Sequence, residues 1–240
     1  MEAEKIANWI TERVDKAQAK GIVMGLSGGI DSAVLCALCC QAVKPENVLA
    51  LIMPCQSHSQ DEEHAHLVAE STHCKVRKIS LDYLFNVMDT ILVDATRPAN
   101  GRRKIAQANL KARLRMVTQY YIANSLNYLV AGSDDKSENY VGYFTKYGDG
   151  ASDFAPLGNL TKTEVRKLAA ELGIPSAIIE KPSSPGLWSG QTAEGELGIN
   201  YQDLDRFLSG ESCDLVVRSK IEWRHGSTEH KRQLPYVPEF

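Results

Sequence analysis

The feature that most constrains the fold is the stretch GLSGGIDSAV at residues 25–34, set between an apolar run, GIVMGL, and a helix-like segment, SAVLCALCCQAV. A strand, a glycine-rich turn and a helix in that order aim free backbone N–H groups and a helix N-terminus at one point. This is how α/β folds hold phosphate. A carboxylate, Asp31, occupies the helix start where the anion would lie. Its charge opposes a phosphate unless a divalent cation stands between them, so the aspartate itself predicts Mg2+. Two familiar phosphate loops do not fit. A P-loop needs glycine and lysine where this chain has Ile30 and Asp31, and the dinucleotide fingerprint needs a spacing that Gly25, Gly28 and Gly29 lack. A plain glycine turn, with Asp31 favoured there by the helix dipole alone, is the simpler alternative.

The same order of elements recurs along the chain. GIVMGL, VLALIMP, VRKIS and YLVAGS read as strands, and the segments starting near Asp31, Gln60, Leu81 and Thr161 read as helices. Alternating βα units imply an α/β fold, a doubly wound parallel sheet with helices on both faces. The longest helix is expected over residues 104–126, which contain no Gly or Pro. Its apolar residues Ile105, Leu110, Leu114, Val117, Tyr121 and Ile122 spread over more than half its circumference, enough for both a core and a partner surface. Residues 97–103 and 181–198 lack periodicity and read as loops, either functional or mobile. With no internal repeat and no low-complexity linker, one domain over residues 1–240 is expected.

Composition excludes several classes. A formal net charge of −3 argues against a general nucleic-acid binder, and no apolar run is long enough to span a bilayer. The first residues form an amphipathic helix, with Ile6, Trp9, Ile10 and Val14 on one face, rather than a signal peptide. A cytoplasmic location is expected. The six cysteines show no paired C-x-x-C motif. Cys36 and Cys40 lie one helical turn apart among apolar neighbours, and no second ligand pair is suitably spaced, so buried free thiols are expected. His58, His64, His66 and His73 make no zinc pattern, because positions two apart on a helix do not share a face.

SGGIDS resembles the pyrophosphatase loop of the N-type ATP pyrophosphatases. Four further stretches, at residues 109–116, 132–166, 181–201 and 229–235, are similar in order and spacing to ammonia-dependent NAD synthetases. They read NLKARLRM, GSDDKSENYVGYFTKYGDGASDFAPLGNLTKTEVR, KPSSPGLWSGQTAEGELGINY and EHKRQLP. The resemblance runs from the first strand almost to the C-terminus. It implies an adenine-nucleotide alpha-hydrolase-like fold and a ligase of NAD biosynthesis that uses ATP and Mg2+ and forms a symmetric homodimer. In the implied reaction the carboxylate of nicotinic acid adenine dinucleotide (deamido-NAD) attacks the α-phosphate of ATP and pyrophosphate leaves. Ammonia then displaces AMP. No part of the chain resembles a glutaminase, so free ammonia or a separate chain is expected to supply the nitrogen.

The resemblance places ATP on Gly25, Leu26, Ser27, Gly28, Gly29, Ile30, Asp31 and Ser32, together with Ser133, Lys162 and Ser184. It places the metal on Asp31 and Glu138, deamido-NAD on Arg113, Lys146, Asp153, His230 and Lys231, and Asp149 near the ammonia pocket. Asp31, Lys162 and Asp149 are the expected catalytic residues. Chemistry alone leaves alternatives. Glu138 also reads as a surface residue of an acidic loop, and Arg113 as part of a solvated basic face. His230 and Lys231 also read as a disordered tail tip. Lys162 follows an N-cap pair, Thr161 and Glu164, where a lysine is often merely solvated. A cation at that electropositive end is mildly unfavourable, which favours an anion nearby.

In one place the chain departs from the pattern. Members of the family commonly read P-S-A-D-L-W where this chain has Ser183, Ser184, Pro185, Gly186, Leu187 and Trp188. The acidic side chain is gone, and the Pro–Gly pair favours a tight turn. Two rival functions stay open. One is another enzyme of the same superfamily acting on RNA or a different acid, for which a thiolating member would want a cysteine pair and a basic surface. The other is a nucleotide-binding module without turnover.

Overall fold

A computed structural model describes residues 2–97, 100–184, 186–188 and 190–238. Pro98 and Ala99 of the first expected loop, and Pro185 and Ser189 of the second, lie outside the described residues. The first half comprises α1 (Glu2–Lys16), β1 (Ile22–Gly25), α2 (Ile30–Val43), β2 (Val48–Ile52), α3 (Ser59–Thr72), β3 (Lys75–Lys78) and α4 (Asp82–Thr96). Then follow α5 (Asn100–Leu126), β4 (Leu129–Ala131), α6 (Lys136–Val141), α7 (Lys162–Glu171) and α8 (Ser176–Ile179). The chain ends with α9 (Ala193–Leu197), α10 (Tyr201–Leu208), α11 (Leu215–Ser227) and α12 (Glu229–Arg232).

The four strands form one parallel sheet in the order β3-β2-β1-β4. β1 pairs β2 from Ile22↔Val48 to Gly25↔Leu51 and pairs β4 from Ile22↔Leu129 to Met24↔Ala131. Period-two alternation divides their side chains between two cores. Ile22, Met24, Val48, Ala50 and Ile52 join residues of α1, α2, α3, α7 and α8 on one face. Val23, Leu49, Leu51 and Val130 join residues of α4 and α5 on the other. The sheet is therefore covered on both faces, as near-continuous apolar strands require. α2 is apolar all round because α1, α3, α7 and the sheet enclose it. A third cluster, around Tyr201, Leu204 and Ile221, joins α6, α9, α10 and α11.

Strand order decides where a ligand can go. β1 leads through α2 to β2 on one side, whereas the chain after β3 returns through α4 and α5 to β4 on the other. The gap between the carboxyl ends of β1 and β4 is thus the switch point at which open α/β sheets bind ligands. The segment after β1 carries Asp31, and the segment after β4 carries Ser133 and Glu138.

Three expectations change. The long helix begins at Asn100, four residues early, and takes in Gly101 despite a cost of about 1 kcal/mol for a helical glycine. Arg103 and Gln107 both donate to Asp89 of α4, at 3.2 and 2.8 Å, and this tertiary tie holds the added turn. Within the second expected loop, Thr192 accepts from the Gly195 N–H and starts α9. Of the cysteines, Cys36, Cys39, Cys40 and Cys55 are buried free thiols, but Cys74 and Cys213 are only partly covered.

The start of α7 is fixed from two sides. Thr161 and Glu164 form a capping box. Asp205 of α10, itself buried, accepts from the Thr163 N–H at 2.7 Å, the Thr163 hydroxyl at 2.6 Å and the Ser137 hydroxyl at 2.5 Å. Ser137 Oγ in turn accepts from the Lys162 N–H at 3.1 Å. Asp205→Ala strands three donors and is expected to cost about 3 kcal/mol. For a chain of this size the thermal midpoint should fall by roughly 6–12 °C. A midpoint within about 2 °C of the parent in a thermal melt would show that Asp205 does not hold this junction.

Candidate active site

β1 ends at Gly25, and the loop to α2 turns at Gly28 with φ +73°. A Cβ on Gly28 would lie 2.2 Å from the Asp61 carbonyl oxygen of α3, so glycine is required by both backbone conformation and space. Gly29 caps α2. The Ser27 and Ser32 hydroxyls lie 3.1 Å apart, and Ser32 Oγ donates to the Gly29 carbonyl at 2.9 Å while accepting from the Ser27 N–H at 3.2 Å. This bonding pins the loop against the helix N-terminus. The loop forms one wall of a cavity of about 290 Å³, lined by Gly25, Leu26, Ser27, Gly29, Ile30, Asp31 and Ser32. Gly28 is the one loop residue turned away, toward α3. Ser133, Glu138, Asp149 and Ser184 open onto the same cavity.

Lys162 does not line the cavity, and its burial overturns the solvated lysine. Its side chain is fully buried, with Nζ 2.7 Å from Asp31 Oδ2, 2.9 Å from Glu138 Oε1 and 3.0 Å from Asp135 Oδ2. The ammonium also lies 5.1 Å from the Tyr201 ring centre, and the Tyr201 hydroxyl donates to Glu138 Oε1 at 3.1 Å. Glu138 is therefore no surface residue of an acidic loop. Asp135, the N-cap of α6, accepts from the Glu138 N–H at 2.8 Å.

Three carboxylates around one ammonium leave an excess of negative charge. Burial pushes the Glu138 carboxyl up to about 8, against the pull of Lys162 and with help from Asp135 and Asp31. Burial likewise raises Asp135 to about 6. Desolvation works against the Lys162 charge, yet Asp31, Glu138 and Asp135 hold it well above the usual lysine range. Asp31 Oδ1 is buried with no hydrogen-bond partner. An orphaned carboxylate oxygen beside surplus negative charge suits an oxygen-liganded divalent cation, and Asp31 with Glu138 could supply the ligands.

Several neighbours escaped the sequence reading. Asp134 lines the cavity, and burial raises its carboxyl well above the usual range, with Asp149 adding to the rise. Asp149 is also raised by burial, although it accepts from the Thr145 N–H at 2.9 Å. Arg115 lines the cavity and donates to the Met53 carbonyl and Ser57 Oγ, both at 3.1 Å. Lys111 is buried, donates to the Leu187 carbonyl at 3.0 Å and lies 5.1 Å from the Phe85 ring centre. The signal was present in helix phase, since Lys111 and Arg115 fall in step with buried Ala108 and Ala112. Arg113 points the other way, is exposed, and donates to the Lys146 carbonyl at 3.2 Å.

The expected dinucleotide residues stand apart from the cavity lining. Lys146 Nζ donates to the His230 carbonyl, and to that of Gln233 at 3.2 Å. Lys231 Nζ donates to the Gly142 and Phe144 carbonyls at 2.8 and 2.7 Å. Arg113, Lys146, His230 and Lys231 thus gather where the C-terminal segment docks, and that segment is not a free tail tip. Asp153 lies beside β4 instead, accepting from the Val130 N–H at 2.7 Å and the Tyr120 hydroxyl at 3.3 Å. In the departing loop, Gly186 has φ +60° and its N–H donates to Ser184 Oγ at 3.1 Å.

A switch-point cavity with a serine–glycine loop on one side and buried carboxylates on the other defines a nucleotide-using enzyme of the adenine-nucleotide alpha-hydrolase-like class. The family model for NAD synthase matches residues 2–235. The NH(3)-dependent NAD(+) synthetase of Carboxydothermus hydrogenoformans is 45% identical over 240 residues, covering 98% of this chain and 96% of that protein. Among solved structures, NMN synthetase from Francisella tularensis has a TM-score of 0.92 at 37% identity, over 100% of this chain and 98% of that one. NH3-dependent NAD synthetase from Campylobacter jejuni has a TM-score of 0.82 at 28% identity, over 99% and 98%. The chain belongs to the NAD synthase family and is a ligase that forms a carbon–nitrogen bond. No described helix is long and apolar enough to cross a membrane.

The buried carboxylates give stability an unusual pH dependence. Glu138 and Asp135 are more basic folded than unfolded, so the folded chain holds extra protons between the ordinary carboxyl range and about 8. Stability contributed by this pair is therefore lost as pH rises through that window. In chelator-treated protein, Glu138→Gln should flatten the decline of the thermal midpoint between about pH 6 and 8. An unchanged slope in the variant would mean that Glu138 stays ionised throughout.

Proposed function

We propose that the chain makes NAD by ATP-dependent amidation of deamido-NAD with ammonia, through an acyl-adenylate. The observation that carries this reading is the convergence of Asp31 and Glu138 on Lys162 beside the serine–glycine loop, in a member of the NAD synthase family. The loop from Gly25 to Ser32, with Ser133, Lys162 and Ser184, holds ATP, and Lys162 also fixes the charge balance behind the loop. Asp31 and Glu138 hold Mg2+, which when bound neutralises charge on the phosphates. The substrate carboxylate attacks the α-phosphorus and pyrophosphate leaves, its charge met by loop N–H groups and the Ser27 and Ser32 hydroxyls. Ammonia then attacks the acyl carbon and AMP leaves. Asp149 and Asp134, both made more basic by burial, are suited to take the proton that the nitrogen sheds.

In this reading Arg113, Lys146, His230 and Lys231 form the basic rim that meets the dinucleotide, and Asp153 is an acceptor at its edge. The chain works as one domain in the cytoplasm, with no nucleic-acid or membrane partner. It acts as a homodimer. Tyr83, Leu84 and Ile91 on α4 and Ile105, Val117 and Tyr121 on α5 are exposed, and the two helices pack together. An apolar face of that kind favours self-association. Mass measurement in dilute solution should give twice 26.5 kDa. A fully active species of single-chain mass would remove the dimer from the reading.

A second reading of the substrate has its own support. The Francisella tularensis NMN synthetase fits this fold more closely than the Campylobacter jejuni NAD synthetase, with TM-scores of 0.92 and 0.82. The acceptor would then be nicotinic acid mononucleotide. Assays with ATP, Mg2+ and ammonium should release AMP with one acceptor in clear excess of the other, measured as kcat/KM. Release of ADP instead would sink both readings. Asp31→Asn should lower turnover by roughly 100-fold or more without lowering the thermal midpoint.

A further inference from the structure

Away from the cavity, the chain folds three cysteines together that no sequence motif links. Cys36 and Cys40 lie one turn apart on α2, and Cys74, immediately before β3, returns beside them. The three Sγ atoms all lie within 4.8 Å of one another, and those of Cys36 and Cys74 are 3.4 Å apart. All three are free thiols. Three sulfurs on one ion at a zinc–sulfur distance of about 2.3 Å stand roughly 3.8–4.0 Å from each other, so shifts of less than about 1 Å would complete the geometry. Thr72 Oγ1 lies 3.4 Å from Cys36 Sγ and donates its proton to the Val68 carbonyl at 2.8 Å, leaving its lone pairs for the cluster. Cys36 and Cys40 are buried, while Cys74 is partly exposed and gives the cluster an entry path.

We propose that Cys36, Cys40 and Cys74 form a structural site for a thiophilic d10 cation such as Zn2+, with Thr72 or a water in the fourth position. Binding replaces three S–H bonds by three metal–sulfur bonds and releases three protons to solvent. Cys36 follows Asp31 by five residues, about 7.5 Å along the helix axis, so the site is separate from the nucleotide cavity. It clamps the helix that starts at the phosphate-binding loop to the junction of α3 with β3.

The test uses the full chain, reduced and stripped with a chelator, titrated anaerobically with Co2+. The proposal expects one equivalent to produce a sulfur-to-cobalt charge-transfer band, and one equivalent of Zn2+ to bleach it and raise the thermal midpoint. Zn2+ should also protect the partly exposed Cys74 thiol from an aromatic disulfide reagent, a readout that needs no variant. Cys74→Ser should abolish band and protection, while Cys213→Ser keeps both. Absence of the band at stoichiometric Co2+, its full retention in Cys74→Ser, or an unprotected Cys74 thiol would each overturn the site. So would a purified chain two hydrogen masses light, with Cys36 joined to Cys74 as a disulfide.

Discussion

One ammonium ion ties this molecule's elements to each other. Lys162 enters from α7, Asp31 from the start of α2, and Asp135 and Glu138 from the segment after β4. These elements belong to different parts of the sheet, and a buried charge forces them to meet. Removing the Lys162 ammonium would leave the buried carboxylates without their counter-charge, at a cost of about 3–5 kcal/mol. The bond set around Asp205 and Ser137 serves the same end one layer out, since it fixes the helix start from which Lys162 extends. Three carboxylates share the one ammonium, and this crowding together with burial raises the carboxyls of Glu138 and Asp135.

The sheet makes this convergence possible. Because β4 pairs β1 on the side opposite β2, the chain leaves the two strands in different directions and opens a crevice between them. α2 lies in the core on the side of α1, α3 and α7, so the loop before it has little freedom. α5 covers the other face and sends Lys111 and Arg115 toward the crevice. The site is thus built from both cores, and its precision rests on packing as much as on hydrogen bonds.

Some of this was legible in the sequence because it is local. The loop's spacing, the strand runs and the capping box at Thr161 depend on neighbours a few residues apart, and each lies where the pattern puts it. Long-range placement was less legible. The position of Lys162 beside an N-cap leaves a solvated lysine open as the alternative, and only the fold shows that α7 drives it into the core. Residues 100–103 fall in a stretch without periodicity that reads as loop, but the tie to Asp89 on another helix draws them into α5. The three gathered thiols could not be foreseen either, since Cys74 lies in a different βα unit from Cys36 and Cys40.

The departure at Gly186 shows how a local change is read through its surroundings. The acidic residue common in the family would place its Cβ 3.3 Å from Asp61 Oδ2. A carboxylate carried on that Cβ would add a second like charge next to Asp61, which disfavours joint ionisation. In this chain Asp61 projects from α3 into the same cavity and is held by Lys181 at 2.7 Å. A carboxylate therefore faces this part of the cavity from a helix rather than from the loop. Gly186 meanwhile adopts a φ of +60°, which a glycine enters without strain. Lys181 fixes the orientation of the carboxylate on the packed helix, and a glycine at position 186 leaves the loop free to turn beside it.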